Sequence, residues 1–185
     1  MKLLVKVKPG NKLISKKIKI GILGGTFDPA HKGHLKISEE AKKLKKLEYI
    51  IWAITQKNPF KKNSKTNVKR RIDFAKKNNG SKKFIKIRFY EKIIKYNKII
   101  NLINYIKRDK KLELYFIIGA DNLINFHKWH KWKSISQNCK ILVFDRHGYK
   151  SRSLKSIAFR DLNQKKLEFI NFKKVNISSS QLRKI

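Results

Sequence analysis

Residues Ile18–His34 read IKIGILGGTFDPAHKGH: an apolar run, two glycines, an Asp-Pro pair, and two histidines three residues apart. The run Ile18–Leu23 predicts a buried strand, and the periodic pattern that follows predicts a helix over His34–Leu47. A Gly-Gly pair alone is more often a simple turn. Here the pair precedes a helix N-terminus, where free backbone N–H groups attract phosphate. The stretch therefore indicates a phosphate-binding turn between a strand and a helix.

Further apolar runs alternate with segments of helical periodicity. Predicted strands follow at Tyr49–Thr55, Phe84–Arg88, Leu114–Ile118, Lys140–Phe144 and Leu167–Phe172, and predicted helices cover Val68–Ala75 and Asn97–Lys107. Strands that alternate with helices and are apolar on both faces form parallel sheets, so we predict an α/β fold with a Rossmann-like, doubly wound parallel sheet. Ligands bind such sheets beyond the carboxyl ends of the strands, where the strand order reverses. The opening stretch, Gly119–Asp121 and Asp145–Gly148 all follow predicted strands.

The composition is strongly basic. The 185 residues include 48 Lys and Arg against 12 Asp and Glu, a formal net charge of +36. Such a charge predicts affinity for phosphorylated metabolites, nucleic acid or acidic membranes. The lysines are spread along the chain with abundant Ile and Asn, as an AT-rich coding sequence would produce by drift. We therefore favour drift over a dedicated nucleic-acid surface and expect no specific nucleic-acid partner.

Several features indicate a cytoplasmic protein of one domain. The single cysteine, Cys139, excludes an internal disulfide and a thiolate cluster for zinc, and its position predicts a small buried side chain. No apolar run approaches the roughly eighteen residues of a membrane span, so no membrane partner is expected. Residues 1–17 make a poor signal peptide and are interpreted as an N-terminal extension, ordered or disordered. Residues 18–185 would form the domain, and the sequence is compatible with a homo-oligomer.

The histidines His31 and His34 flank Gly33, which allows a close approach. From a helix start both imidazoles can reach one anion. A zinc site would need more ligands, and the other histidines have no carboxylate or thiolate arranged around them. Hydrogen bonds to phosphate oxygens, with charge stabilisation when a ring is protonated, fit better. We therefore predict that these residues hold no metal.

Two more motifs have both an ordinary and a functional interpretation. Asn176–Arg183 reads NISSSQLR, which is typical of a helix N-cap but also suits a polyphosphate cradle. Phe116–Trp132 reads FIIGADNLINFHKWHKW, in which Trp132 is expected in the core. Trp129 lies among polar residues and can stack on a flat aromatic ligand.

Together these motifs resemble the nucleotidyltransferase superfamily with the HxGH motif and, within it, the bacterial nicotinate-nucleotide adenylyltransferases. The resemblance covers Ile18–Ile185. It implies a nucleotidyltransferase-type fold that joins ATP and nicotinate mononucleotide into nicotinate adenine dinucleotide, releasing pyrophosphate, in NAD biosynthesis. ATP and nicotinate mononucleotide are the implied partners. The implied cofactor is Mg²⁺, held mainly by phosphate oxygens rather than by protein ligands.

The resemblance also implies roles for individual residues. The catalytic contacts to phosphate fall to His31, His34 and Arg183. ATP binding falls to Gly24, Gly25, Thr26, Phe27, Ser178, Ser179 and Ser180. Substrate binding falls to Gly119 and Asp121 on the ribose side, to Trp129 against the nicotinate ring, and to Asn58 and Lys61.

The sequence departs from the family pattern in three places, and two alternative functions stay open. Ile99 stands where the family usually has Thr, Ser180 stands where Thr is commoner, and the chain stops two residues after Arg183, where the family usually continues. One alternative is a sibling adenylyltransferase acting on nicotinamide mononucleotide or phosphopantetheine, although the segment containing Trp129 argues against phosphopantetheine. The other is a basic nucleic-acid-binding protein, which no helix-turn-helix, zinc or stacking-sheet motif supports.

Overall fold

A computed structural model of the chain describes residues 17–57, 64, 66–95, 98–162 and 165–171. Six parallel strands form one sheet in the order β3-β2-β1-β4-β5-β6. The strands are β1 (Ile18–Gly25), β2 (Tyr49–Ile54), β3 (Ile85–Arg88), β4 (Leu112–Gly119), β5 (Lys140–Phe144) and β6 (Leu167–Ile170). This order confirms the predicted doubly wound parallel sheet.

Helices cover both faces of the sheet. They are α1 (Lys32–Lys45), α2 (Val68–Lys77), α3 (Glu91–Ile94), α4 (Ile99–Ile106), α5 (Ala120–Ile124), α6 (Trp132–Asn138), α7 (Lys150–Leu154) and α8 (Ile157–Asp161), with a 3-10 turn at Phe126–Lys128. Buried side chains of α1 and α2 pack on one face, and those of α4, α5, α6 and α8 on the other. Alternate residues of each central strand serve the two cores, as the two-residue period of a strand requires.

The central strand β1 is packed closely against its neighbours at Gly21. A Cβ placed on Gly21 would lie 2.9 Å from Ile117 Cδ1, 3.0 Å from Ile50 Cγ1 and 3.1 Å from Leu47 Cδ1. Those distances are shorter than normal carbon contacts, so a larger residue would force the three side chains apart. The glycine thus allows the side chains of β2, β4 and the α1–β2 connection to close over β1.

Most predicted elements are present, with shifted ends. α1 begins at Lys32 rather than at His34, because His31 caps it. β6 ends at Ile170, and Phe172, the predicted end of that strand, lies outside the described residues. Residues 1–16 of the predicted extension also lie outside them. The helices α5 to α8 were not predicted, since segments of five to seven residues are too short to show a helical period.

Two predicted core residues differ in burial. Cys139 is buried, its thiol donates to the Ile135 carbonyl at 3.2 Å, and burial raises its pKa to about 12. That confirms a structural cysteine rather than a nucleophile. Trp132 is only half-buried and packs against the core, with its ring edge-on to the Phe126 ring and the two ring centroids 6.3 Å apart. In the described part of the chain, no helix has both the length and the apolar character needed to cross a bilayer.

A buried polar contact joins α1 to the sheet. The Trp52 indole Nε1–H donates to Ser38 Oγ at 2.8 Å, and Ser38 Oγ donates to the His34 carbonyl at 2.8 Å. Both Trp52 and Ser38 are fully buried. The one hydroxyl therefore satisfies an indole of β2 and fixes the first turns of α1 against that strand.

We expect Ser38→Ala to lower the free energy of unfolding by about 1–3 kcal/mol, because it leaves the buried Trp52 N–H unpaired. Urea unfolding followed by circular dichroism would measure the change. The exposed Ser151 of α7 offers a matched control, and Ser151→Ala should stay within about 0.5 kcal/mol of the wild type. Equal stability of the two variants would show that the Trp52–Ser38 contact contributes nothing.

Candidate active site

The strand order reverses between β1 and β4. β1 pairs with β2 on one side and with β4 on the other. α1 follows β1 on one face of the sheet, whereas α5 follows β4 on the opposite face. The two connections therefore diverge and leave a crevice at the carboxyl ends of these strands, which is where doubly wound sheets bind ligands.

A cleft of about 420 Å³ opens at this edge of the sheet. It lies between the ends of β1 and β2, the helices α3 and α4, and the segment after the 3-10 turn. Its lining residues are Gly24, Gly25, Ala53, Ile54, Thr55, Lys57, Tyr90, Glu91, Ile94, Lys98, Ile99, Leu102, Phe116, Lys128, Trp129 and His130. Of the predicted site residues, Gly24, Gly25 and Trp129 are brought together there.

The two histidines of the opening motif form the start of α1. His31 is the N-cap residue, and its Nδ1 accepts from the Gly33 N–H at 3.1 Å. His34 Nδ1 accepts in turn from the His31 N–H at 3.2 Å, and the ring centroids are 3.8 Å apart. Because both Nδ1 atoms accept, the ring proton of each neutral imidazole lies on Nε2. The pair thus provides two Nε2–H donors at a helix N-terminus whose first turn has no acidic residue.

The Phe27 ring packs against the His34 ring and stacks on Trp52. Phe27 is 1 % exposed, with its ring centroid 4.6 Å from His34 and stacked on Trp52 at 5.2 Å. Its backbone has a φ of +48°, in the left-handed region that few non-glycine residues occupy. Since its side chain is buried, Phe27 can meet a nucleotide only through its backbone, and its ring acts by fixing the imidazole.

The glycines at the end of β1 have no side chains that would project into the cleft. A Cβ on Gly24 would meet only Ile99 at 3.7 Å and Phe116 at 3.8 Å, which are ordinary contacts. On Gly25 the nearest atom would be Phe27 Cε2 at 3.5 Å. Packing against the residues that the structure describes therefore does not demand glycine at either position. What the missing Cβ atoms leave clear is the cleft itself, where a ligand can approach the backbone.

Trp129 forms one wall of the cleft. Its ring centroid lies 6.1 Å from that of Phe116, with the two rings edge-on, and 5.1 Å from that of Phe126. These contacts hold the indole from behind, and it is only partly buried. A rigid, partly exposed indole on an apolar floor can stack on a planar ligand with little loss of side-chain entropy.

Gly119 and Asp121 lie at the end of β4 and the start of α5, outside the residues that line the cleft. Arg146 Nη1 donates to Asp121 Oδ2 at 2.6 Å. The other carboxylate oxygen folds back toward Gly119, where a Cβ would lie 2.5 Å from it. The glycine is therefore needed for this carboxylate position. Arg146 was not predicted, although the loop after β5 that carries it was identified as lying at the ligand edge.

The charge of the cleft comes from residues to which the motifs assign no role. Lys57, Lys98 and Lys128 line it, against one carboxylate, Glu91. In a chain so rich in lysine, nothing in the sequence distinguishes Lys57 and Lys98 from the others. Lys128, by contrast, adjoins Trp129 within the motif Phe116–Trp132. The excess of positive charge favours an anionic ligand over a neutral one.

The departure at Ile99 also lies in the cleft. Ile99 begins α4, and its Cδ1 approaches Gly24, so the chain presents a methyl group there instead of a hydroxyl. Tyr90 supplies a phenol to the same cleft. Burial raises the pKa of Tyr90, with the charge of Arg88 opposing the shift, so the phenol stays neutral and able to donate near neutral pH.

Some predicted site residues fall outside the described part of the chain. They are Asn58, Lys61, Ser178, Ser179, Ser180 and Arg183. Thr26 is described, and its carbonyl accepts from Arg71 Nη1 at 2.5 Å. Among the residues that the structure describes, no three His, Cys, Asp or Glu side chains are grouped so as to hold a metal ion.

The chain matches the Cytidylyltransferase-like family over residues 22–185. It is 66% identical to the probable nicotinate-nucleotide adenylyltransferase of Pelagibacter ubique, over 97% of this chain and 99% of that protein. It is 34% identical to a protein of the same name from a Bradyrhizobium strain, over 78% of this chain and 76% of that one.

The fold also matches solved structures. The nicotinic acid mononucleotide adenylyltransferase of Plasmodium falciparum, complexed with APC, superposes with a TM-score of 0.70 at 20% identity, covering 90% of this chain and 82% of that one. The same enzyme complexed with NaAD gives a TM-score of 0.69 at 18% identity, with the same coverage. These structures share the fold of this chain. The sequence matches place the chain in the Cytidylyltransferase-like family, and within that family it belongs to the nicotinate-nucleotide adenylyltransferases.

Proposed function

We propose that the protein transfers the adenylyl group of ATP to nicotinate mononucleotide, giving nicotinate adenine dinucleotide and pyrophosphate. The observation that carries the proposal is the capped histidine pair, which sets two imidazole N–H donors at the start of α1, at the same sheet edge as a basic cleft walled by an indole. The name of the relative that is 66% identical supports the choice of substrate.

The cleft suits nicotinate mononucleotide. Its pyridine ring would stack on Trp129 above the apolar floor of Phe116. The nicotinate carboxylate and the 5′-phosphate are both anionic, and the lysines Lys57, Lys98 and Lys128 supply the opposite charge. Gly24 and Gly25 would let the phosphate approach the backbone at the end of β1.

The chemical step needs no covalent intermediate. An oxygen of the mononucleotide phosphate attacks the α-phosphorus of ATP, and the bond from that phosphorus to the bridging oxygen breaks. The electron pair and the negative charge leave with pyrophosphate. His31 and His34 would donate their Nε2–H groups to phosphate oxygens as this charge develops. Fixed donors need no reorganisation during the step, so positioning and electrostatics supply the acceleration.

We propose Mg²⁺ as the cofactor, bound with ATP. The described residues offer no cluster of carboxylates or imidazoles for it, so phosphate oxygens and water would be its main ligands, as Mg²⁺ prefers. When bound, Mg²⁺ neutralises charge on the phosphates. A cytoplasmic location is part of the proposal, supported by the lone buried cysteine and by ATP as a substrate.

The direct test is pyrophosphate release from Mg-ATP with nicotinate mononucleotide, nicotinamide mononucleotide or phosphopantetheine offered separately. We expect strong turnover with the first alone, and its loss when EDTA removes the metal. A preference for the amide or for phosphopantetheine would replace the proposal by a sibling activity. No turnover with any of the three from folded protein would contradict it.

His34→Asn separates the two roles of this histidine. Asn Oδ1 can replace Nδ1 as acceptor for the His31 N–H, but nothing replaces the Nε2–H donor. We expect kcat to fall about 10²–10³-fold with little change in the unfolding temperature.

His34→Ala is the companion variant. It should lose as much activity and, in addition, about 0.5–2 kcal/mol of stability from the lost cap. Thermal unfolding and steady-state kinetics of both variants measure these effects. If activity fell only in proportion to stability, the role assigned to Nε2–H would be wrong.

Trp129→Ala should raise KM for nicotinate mononucleotide about tenfold or more, because it removes a stacking partner, while KM for ATP stays nearly constant. Trp129→Phe should restore part of the effect. Trp132→Ala is the control, since that indole packs on the core and should affect unfolding rather than KM. A larger rise in KM for ATP than for the mononucleotide would contradict the stacking assignment.

A further inference from the structure

Arg71 is the most deeply buried charged side chain described near the candidate site, at 2 % exposure. Its guanidinium donates to backbone carbonyls of two loops. Nη1 donates to Thr26 at 2.5 Å and to Thr55 at 2.8 Å, and Nη2 donates to Gln56 at 3.2 Å. Nε donates to Thr66 at 3.0 Å, in the connection to its own helix. One side chain of α2 thus holds the turn after β1 and both ends of the β2–α2 connection.

The same peptides are held from other directions. The Thr55 N–H donates to the Gly25 carbonyl at 3.0 Å, joining the end of β2 to the end of β1. The Gln56 N–H donates to Glu91 Oε1 of α3 at 3.1 Å. The Gln56 peptide therefore lies between Glu91, which lines the cleft, and Arg71, which lies behind it. A shift of the guanidinium would move a wall of the cleft.

The geometry depends on the shape of arginine. A guanidinium is planar and presents five N–H donors in a fixed fork, whereas an ammonium is a point charge with three donors. Arg71 uses Nε, Nη1 and Nη2, which point in different directions in one plane. Burial lowers the pKa of Arg71, and the nearby carboxylates of Asp28 and Glu91 oppose that shift.

We propose that Arg71 is a positioning residue for the adenylyl transfer, setting the loops after β1 and β2 in their substrate-binding arrangement before any ligand is present. The inference rests on the proposed function for its consequence in catalysis, but the loop contacts stand without it. Arg71 bonds both to the turn after β1 and to the segment after β2 at the cleft, so it acts on both substrates through the backbone that binds them.

The adjacent Arg70 provides a matched control. It has the same side chain in the same helix, but it is exposed. The periodicity of the helix distinguishes the two, because Arg71 lies three residues after Val68 and four before the buried Ala75. That spacing places Arg71 on the inner face, a signal that the sequence contains.

The test compares Arg71→Lys with Arg70→Lys, since each keeps the positive charge and changes only the donor geometry. We expect Arg71→Lys to reduce kcat/KM about 10–100-fold for nicotinate mononucleotide and for ATP, while Arg70→Lys behaves as the wild type. Assays are run well below the unfolding temperature of each variant, so that loss of folded protein does not contribute. Wild-type kinetics for Arg71→Lys under those conditions would overturn the proposal.

Amide hydrogen exchange measured by NMR gives a readout independent of activity. In the ligand-free protein, the Thr55 and Gln56 amides should exchange about tenfold or more faster in Arg71→Lys than in the wild type. The amide of Ile117, at the centre of β4, should not change. Faster exchange throughout the sheet would indicate general destabilisation and would contradict a local positioning role.

The role of Arg71 can still be tested if the proposed function fails or if Arg71→Lys does not fold. If the wild type failed to turn over nicotinate mononucleotide, the proposed function would fail, while the exchange comparison would still decide whether Arg71 holds the loops. If Arg71→Lys did not fold, exchange in the ligand-free wild type carries the test. Protected Thr55 and Gln56 amides would support loops that are set in advance, and exchange at the rate of an unstructured peptide would overturn them.

Discussion

The parallel pairing of β1 with both β2 and β4 is the constraint on which the site depends. A strand with parallel neighbours on both sides sends its connection over a face of the sheet, and the connections after β1 and β4 use opposite faces. The carboxyl ends of the two strands are left uncovered between them. The histidines, the glycines and the cleft all lie at that edge, so the chemistry is concentrated by topology before any side chain is considered.

In the proposed site, few dedicated groups would be needed to bind an anion on this frame. The start of α1 is capped by imidazole nitrogens instead of a hydroxyl or carboxylate, so the groups that satisfy the helix also carry Nε2–H donors. A carboxylate cap would have placed negative charge where the proposed function needs a phosphate to bind. The Phe27–Trp52–Ser38 arrangement beneath then fixes the ring of His34 through packing and one hydroxyl. Stability of the helix start and the proposed readiness for phosphate therefore reside in the same two side chains, through Nδ1 and Nε2 respectively.

Much of the fold and part of the site could be predicted from the sequence. The six strands can be identified in the sequence as apolar runs, and the HKGH histidines come after the turn that follows the first of them. Arg71 could have been found from its place on the inner helical face, but in a lysine-rich helix a basic residue is expected to be solvated. Arg146 could not, because its pairing with Asp121 joins the loop after β5 to the start of α5, which only the sheet brings together. Lys57 and Lys98 of the cleft were hidden by the general excess of lysine.

The arginine at position 71 has a consequence for how such a gene can evolve. A genome drifting toward A and T can exchange arginine codons for lysine codons by one base change, and most basic residues of this chain are lysine. The fork of Arg71 across its backbone carbonyls uses guanidinium geometry that an ammonium does not reproduce. Nucleotide bias can therefore replace exposed arginines by lysine freely. Selection opposes that replacement where a buried side chain needs a planar guanidinium.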